Sequence, residues 1–160
     1  MTSTTALFGP ELVSQGGETV KTADALAGKV IGIYFSAHWC PPCRGFTPEL
    51  VKFYNKMKAQ GKDFEIIFAS SDRDEDSFKE YYSEMPWLAL PFGERDLKNK
   101  LSKKFKVQGI PMFILLNTDG TAVRAIGDAD AALGVPFEVL SRFTYKSWLQ
   151  SSPGLVLEVE

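Results

Sequence analysis

Cys40 and Cys43 are the only thiols in a chain of 160 residues, and they stand three positions apart in the run YFSAHWCPPCRGF, residues 34–46. Three chemistries are open to such a pair. A structural zinc site needs four ligands, usually two such pairs or one pair and two histidines. This chain offers one pair and a single histidine, His38. A structural disulfide closing so small a loop takes little entropy from the unfolded chain, and a domain of this size does not depend on it. A redox dithiol needs what the run supplies. One thiolate attacks a substrate disulfide, and a second thiol held close by displaces the reduced product from the mixed disulfide. The spacing and the context favour this third chemistry, with no metal bound.

Those roles depend on the flanking elements. KVIGIYFSA, residues 29–37, is a continuous apolar run of strand length, rich in β-branched and aromatic residues, as expected of a strand covered on both faces. Downstream, Leu50, Phe53, Tyr54 and Met57 repeat at helical spacing and predict a long helix ended by Gly61. Pro48 lies inside that pattern, where it removes a backbone hydrogen bond and is expected to kink the helix. Cys40 then falls where the loop after the strand becomes the helix. Unpaired N–H groups and the helix dipole there favour a thiolate. Cys43, inside the first turn, is expected to be less exposed. Cys40 is therefore read as the nucleophile and Cys43 as the resolving thiol. Pro41 and Pro42 restrict the backbone between them, remove two N–H donors and are expected to tune the redox potential. Trp39, beside the attacking sulfur, could shield the site, dock a partner or pack against the sheet edge.

The remaining pattern is that of an α/β protein. DFEIIFASS reads as a second buried strand, and DRDE, Asp72 to Glu75, as a capping box. Phe78, Tyr81, Tyr82 and Met85 form a helical stripe; MPWLALPFG reads as a proline-bounded loop; Leu97, Leu101 and Phe105 mark a further helix face. PMFILLN reads as a third strand, followed by a TDG hairpin turn and the partner strand TAVRAI. Residues 1–17 read as a loose lead-in with a turn or short helix near Pro10–Ser14, and ETVKTADAL as a short edge strand before a turn at Gly28. A C-terminal helix is expected around Phe137–Leu149. The alternation implies one domain over residues 1–150, with a mostly parallel central sheet covered on both sides and an antiparallel edge; residues 151–160 read as a disordered tail.

Bulk properties narrow the function. Net charge is -2 with acids and bases interspersed, which argues against a nucleic-acid-binding face or a membrane surface. The longest apolar runs are far too short to span a bilayer. The first seventeen residues lack the basic start and apolar stretch of a secretory signal, so a cytoplasmic location is expected, as is also favoured by so few cysteines.

The segments FSAHWCPPCRGFTPEL, DRDEDSFKEYYSEMPWLALPF and FKVQGIPMFILL resemble the tryparedoxins and nucleoredoxins of the thioredoxin superfamily, over roughly residues 26–125. The resemblance implies a thioredoxin-like fold, a central mixed β-sheet flanked by helices on both faces. It also implies protein-disulfide reductase activity with no bound cofactor, recharged by an external thiol reductant, either a low-molecular-weight dithiol or a reductase. Disulfide-containing client proteins, peroxiredoxins among them, are the implied partners. The alternative is a redox-gated client-binding module of nucleoredoxin type with little turnover. Cys40 matches the family's attacking cysteine and Cys43 its resolving one. Ile110 and Pro111 match the pair whose bond is cis in such folds, which would lay the Ile110 backbone beside the dithiol, ready to pair with an extended substrate. Tyr34 sits where ordinary thioredoxins carry a buried aspartate that takes up the resolver's proton, and a neutral phenol is a poor base. Water or Asp72 could carry that proton instead, although Asp72 also fits helix capping. Arg44, after the resolver, could attract an anionic partner or simply be solvated. The chain departs from the tryparedoxin pattern at His38, Ser71 and Met112, and beyond Gly120 it follows that pattern only loosely, keeping Arg124.

Overall fold

The computed structural model describes residues 3–59, 61, 63–116 and the backbone of 122–127. The chain order is α1 (Ser3–Phe8), β1 (Glu11–Val13), β2 (Thr19–Lys21), α2 (Thr22–Ala25), β3 (Val30–Ser36), α3 (Pro41–Ala59), β4 (Phe64–Ser70), α4 (Glu75–Tyr82), β5 (Leu88–Ala89), α5 (Arg95–Lys104), β6 (Met112–Leu116) and β7 (Ala122–Gly127). The seven strands form one mixed sheet in the order β2-β1-β5-β4-β3-β6-β7.

The two apolar runs read as buried strands are the centre of this sheet. β3 and β4 are buried at every position, and they pair in parallel from Val30↔Phe64 to Ser36↔Ser70. Their side chains alternate between faces. On one face Val30, Tyr34, Phe64, Ile66 and Phe68 meet Leu50, Phe53, Tyr54 and Met57 of α3 and Phe78, Tyr81 and Tyr82 of α4. On the other, Ile31, Ile33, Phe35, Ile67 and Ala69 meet Phe8 of α1, Leu26 after α2 and Leu101 of α5. Helices thus cover both faces; the stripes read at Leu50–Met57 and Phe78–Tyr82 are the buried faces of α3 and α4, and Met85 is buried just past the end of α4.

Four expectations need correction. The sheet is not mostly parallel: β4 runs parallel to β3 and β5, whereas β6 is antiparallel to β3 and β7 to β6, and β1 is antiparallel to both β2 and β5. A strand buried on both faces shows the same apolar run in either direction, so composition cannot reveal its sense. The lead-in is not loose, because α1 and β1 occupy it and bury Phe8 and Leu12 completely. The MPWLALPFG segment carries β5, and its Trp87 and Leu90 are core residues. Lastly, α4 is capped by Asp74, whose side chain accepts from Ser77 N–H at 2.7 Å, not by Asp72. The helix α3 runs from Pro41 to Ala59 with Pro48 inside it. The hairpin turn at TDG, the Arg124 side chain, the helix at Phe137–Leu149 and the tail 151–160 lie outside the described residues. Among the described residues, no helix is long and apolar enough to cross a membrane.

The close fit at the sheet centre is tightest at Gly32 of β3, where a Cβ would lie 2.3 Å from the Phe113 ring of β6. That ring is fully buried. Gly32→Ala is expected to lower the unfolding free energy by about 1–3 kcal/mol through overpacking, measured by urea denaturation. An unchanged midpoint would show that the β3–β6 contact is loose.

Candidate active site at the start of helix α3

β3 ends at Ser36, and a tight turn, Cys40 N–H to Ala37 O at 3.2 Å, delivers the chain to α3. Cys40 is the residue before the helix, and its carbonyl accepts the Arg44 N–H at 3.1 Å. A helix leaves its first amides without intrahelical partners. Here Pro41 and Pro42 have none to offer. The first amide of the helix is that of Cys43, and it donates to Cys40 Sγ at 3.3 Å. The sulfur occupies the position that a serine or aspartate oxygen takes in an ordinary N-cap. Proline at the first helical positions costs nothing in hydrogen bonding and presets the backbone angle. The CPPC run therefore does local structural work as well as carrying the thiols.

Both cysteines are free thiols. Cys40 keeps 5% of its surface and Cys43 none, so an approaching sulfur can reach only the first. The Ile110–Pro111 bond is cis, as the resemblance implied, and Ile110 O accepts from the Cys40 thiol at 3.8 Å. Ala37 and Ile110 complete the packing around the two sulfurs. Burial, and then the neighbouring Cys40, push the Cys43 thiol up to about 12 from its ordinary 9.0. Cys43 is thus held protonated in the resting protein.

Beneath Cys43 lies a continuous set of buried hydroxyls. Ser36 Oγ and Tyr81 Oη are 2.7 Å apart, Tyr81 Oη and Thr47 Oγ1 2.6 Å, and Thr47 Oγ1 and Tyr34 Oη 2.7 Å. Thr47 also donates to Cys43 O at 2.9 Å, and Tyr34 and Tyr81 reach the same carbonyl at 3.3 and 3.4 Å. Burial raises the pKa of both phenols, so they serve as neutral hydroxyls. Their rings are fixed by aromatic packing: Tyr34 stacks on Phe46 at 5.7 Å and meets Trp87 edge-on, and Tyr81 meets Phe68 edge-on at 5.6 Å. Sequence reading singled out Tyr34 alone. Ser36, Thr47 and Tyr81 were legible only as a strand end, a helix position and a core stripe.

The loop after β4 frames the other side. Asp72 is buried; its Oδ1 accepts from His38 N–H at 2.8 Å and its Oδ2 from the Ser70 hydroxyl at 2.7 Å. Oδ1 ties this loop to the one after β3 and Oδ2 bonds the last residue of β4, and among the described contacts Asp72 neither caps α4 nor bonds to the dithiol. Ser71 N–H donates to Ser36 O at 2.8 Å, and Ser71 O accepts from Trp39 Nε1 at 3.0 Å. Trp39 does not pack against the sheet edge: it is 51% exposed, next in the chain to Cys40, with the Arg73 guanidinium 5.5 Å from its ring. Arg95 of α5, unnoticed in the sequence, braces the same loop by donating to Ser70 O at 2.8 Å. The His38 ring stacks on Tyr81 at 5.2 Å. Pro41, Pro42 and Arg44 are exposed around the sulfur.

A family model described as thioredoxin-like matches residues 28–122. A probable nucleoredoxin 1 from Arabidopsis thaliana is 55% identical over 112 residues, covering 70% of this chain and 19% of that protein. A tryparedoxin from Trypanosoma brucei brucei is 45% identical over 128 residues, covering 76% of this chain and 87% of its own. The solved structure of tryparedoxin II complexed with glutathionylspermidine has a TM-score of 0.72 at 36% identity, covering 83% of this chain and 92% of that one. The chain therefore spans about a fifth of the plant nucleoredoxin and most of the tryparedoxin.

Two outcomes follow from this geometry. Asp72→Ala leaves the His38 N–H and the Ser70 hydroxyl without their acceptor. It is expected to cost about 1–3 kcal/mol of stability, read from urea denaturation; no loss would mean the loop tie is redundant. The second concerns pH. The folded Cys43 holds its proton between pH 9.0 and about 12, where an unfolded cysteine has released it. The native state binds more protons there, so stability is intact below pH 9.0 and falls as the pH rises toward about 12. Cys43→Ser is expected to remove the earliest part of that fall, because the raised tyrosines titrate from a higher ordinary value. Identical profiles for both proteins would contradict the assignment.

Proposed function

The chain belongs to the thioredoxin-like family that includes nucleoredoxins and tryparedoxins, and from that membership we propose that it is a thiol–disulfide oxidoreductase that reduces protein disulfides through Cys40 and Cys43. The observation that carries this reading is the division between the two sulfurs. Cys40 reaches the surface at a helix start and receives a backbone N–H, whereas Cys43 is sealed one turn inside and protonated.

The cycle balances with no bound cofactor. The Cys40 thiolate attacks one sulfur of a client disulfide, forming a Cys40–client disulfide and releasing the other client sulfur as a thiolate. Cys43 then attacks Cys40 Sγ, forming the Cys40–Cys43 disulfide and releasing the second client sulfur, which takes up the thiol's proton. Two electrons pass from the dithiol to the client, and an external thiol reductant returns them. Cys43 N–H, already aimed at Cys40 Sγ, keeps the resolving residue in register with the bond that it must break. In this reading an extended client segment pairs with the Ile110 backbone and contacts Trp39 and the exposed prolines, a reading supported by the Ile110 carbonyl lying beside the Cys40 sulfur. Peroxiredoxins are the client class we favour. Glutathionylspermidine in the tryparedoxin II complex supports a small thiol as donor here.

An insulin-type reduction assay with a small dithiol tests this. Wild-type protein is expected to turn over, and Cys40→Ser to lose all turnover because no sulfur remains at the surface. Stoichiometric client binding without turnover would instead identify a binding module. Cys43→Ser is expected to hold the client as a covalent adduct, visible by mass spectrometry; absence of the adduct would remove Cys43 from the resolving role.

A further inference from the structure

Sealing Cys43 inside the protein raises a difficulty that the dithiol alone does not solve. To attack Cys40 Sγ, its sulfur must gain negative charge in a place where burial opposes charge. Tyr34 and Tyr81 are neutral phenols, and Asp72 spends both oxygens on His38 and Ser70. No carboxylate bonds to Cys43 among the described residues. What faces the thiol is the Ser36 hydroxyl at the end of β3, together with the Ala37 backbone, and both favour the charged sulfur.

We propose that Ser36, Tyr81 and Thr47 form a rotatable hydroxyl chain that stabilises Cys43 Sγ as it becomes charged in the resolving step. The inference rests on the reading of Cys43 as the resolving thiol. Each hydroxyl has one proton to give and lone pairs to receive with; the Ser and Thr protons turn about the C–O bond, and the Tyr81 proton can flip between two positions in the ring plane. Either oxygen can donate in the Ser36–Tyr81 and Tyr81–Thr47 pairs, and Thr47's own proton goes to Cys43 O at 2.9 Å, so with the thiol neutral the proposed chain runs from Cys43 to Ser36, from Ser36 to Tyr81 and from Tyr81 to Thr47. Thr47 can accept from both Tyr81 and Tyr34 at once. When the sulfur becomes charged, the chain turns over. Tyr81 donates to Ser36, and Ser36 donates to the thiolate. No hydroxyl ionises and no heavy atom moves. The thiol proton ends on the departing client sulfur, so protons and electrons balance. Ser36 and Tyr81 are thus positioning residues, acting on the charge of Cys43 and not on the client.

The titratable groups facing Cys43 are Cys40 beside it, Tyr34 from β3 and Tyr81 from α4. The His38 ring stacks on Tyr81, and Asp72 holds the His38 backbone. Tyr81→Phe keeps the ring packed on Phe68 and His38 and removes only the hydroxyl. Ser36→Ala removes the hydroxyl next to the sulfur, and Ser36→Thr keeps one.

The chromogenic disulfide dithiobis(nitrobenzoate) separates the two chemical steps. Attack by Cys40 releases one nitrothiobenzoate, and resolution by Cys43 releases the second. Stopped-flow absorbance on the reduced full chain is expected to show an unchanged first phase in Ser36→Ala and Tyr81→Phe. Their second phase should slow by roughly tenfold, and its pH midpoint should rise by about one unit. Ser36→Thr should restore the rate. A purely structural defect would alter both phases and leave the midpoint in place. Second phases in Ser36→Ala and Tyr81→Phe that match wild type in rate and midpoint overturn the hydroxyl chain while leaving the resolving role of Cys43 intact. A wild-type protein with no second phase overturns that role and the inference with it.

Discussion

One hydrogen bond organises this site: the Cys43 amide donating to Cys40 Sγ across the start of α3. It exists because two prolines remove every earlier amide of the helix, so that a single orphan donor and a single acceptor remain to satisfy each other. The contact joins the two redox positions through backbone as well as by proximity. It also fixes where the sulfur points, toward the surface strip between Trp39 and the Ile110 carbonyl. A serine at this cap would satisfy the helix equally well. The sulfur is there for its chemistry, and the fold uses it as a cap.

Around that bond the protein builds an asymmetry. The Cys40 sulfur follows the end of a parallel strand pair that is buried at every position. Its neighbours on the outer side are exposed and its loops are tied by Asp72 and Arg95. The second sulfur lies one helical turn inward, where desolvation keeps it protonated in the resting protein. In the proposed cycle the same burial directs a client to Cys40. Its cost is a charge that must develop away from water, and the hydroxyls of Ser36, Tyr81, Thr47 and Tyr34 are the polar groups in place to meet it.

Much of this was legible before the structure because the strongest signals are local. The dithiol spacing, the two fully buried strands and the stripes of α3 and α4 each declare themselves within a dozen residues. The short strands β1 and β5 did not, since two or three residues cannot display a period and their pairing is decided by distant partners. Strand direction was hidden for a related reason. Asp72 and Asp74 are both acids ahead of an apolar stripe, and only backbone geometry decides that the second caps the helix. The hydroxyl set was the least visible. Ser36 and Tyr81 are 45 positions apart, and Thr47 and Tyr81 34, so their meeting is a property of the packed sheet and helices and of no segment by itself.

The most direct test of the division between the sulfurs is to treat the reduced protein with less than one equivalent of iodoacetamide at neutral pH and map the labelled peptide by mass spectrometry. The label is expected on Cys40, with Cys43 unmodified. Label divided equally between the two, or found first on Cys43, would contradict the partition on which the proposed chemistry stands.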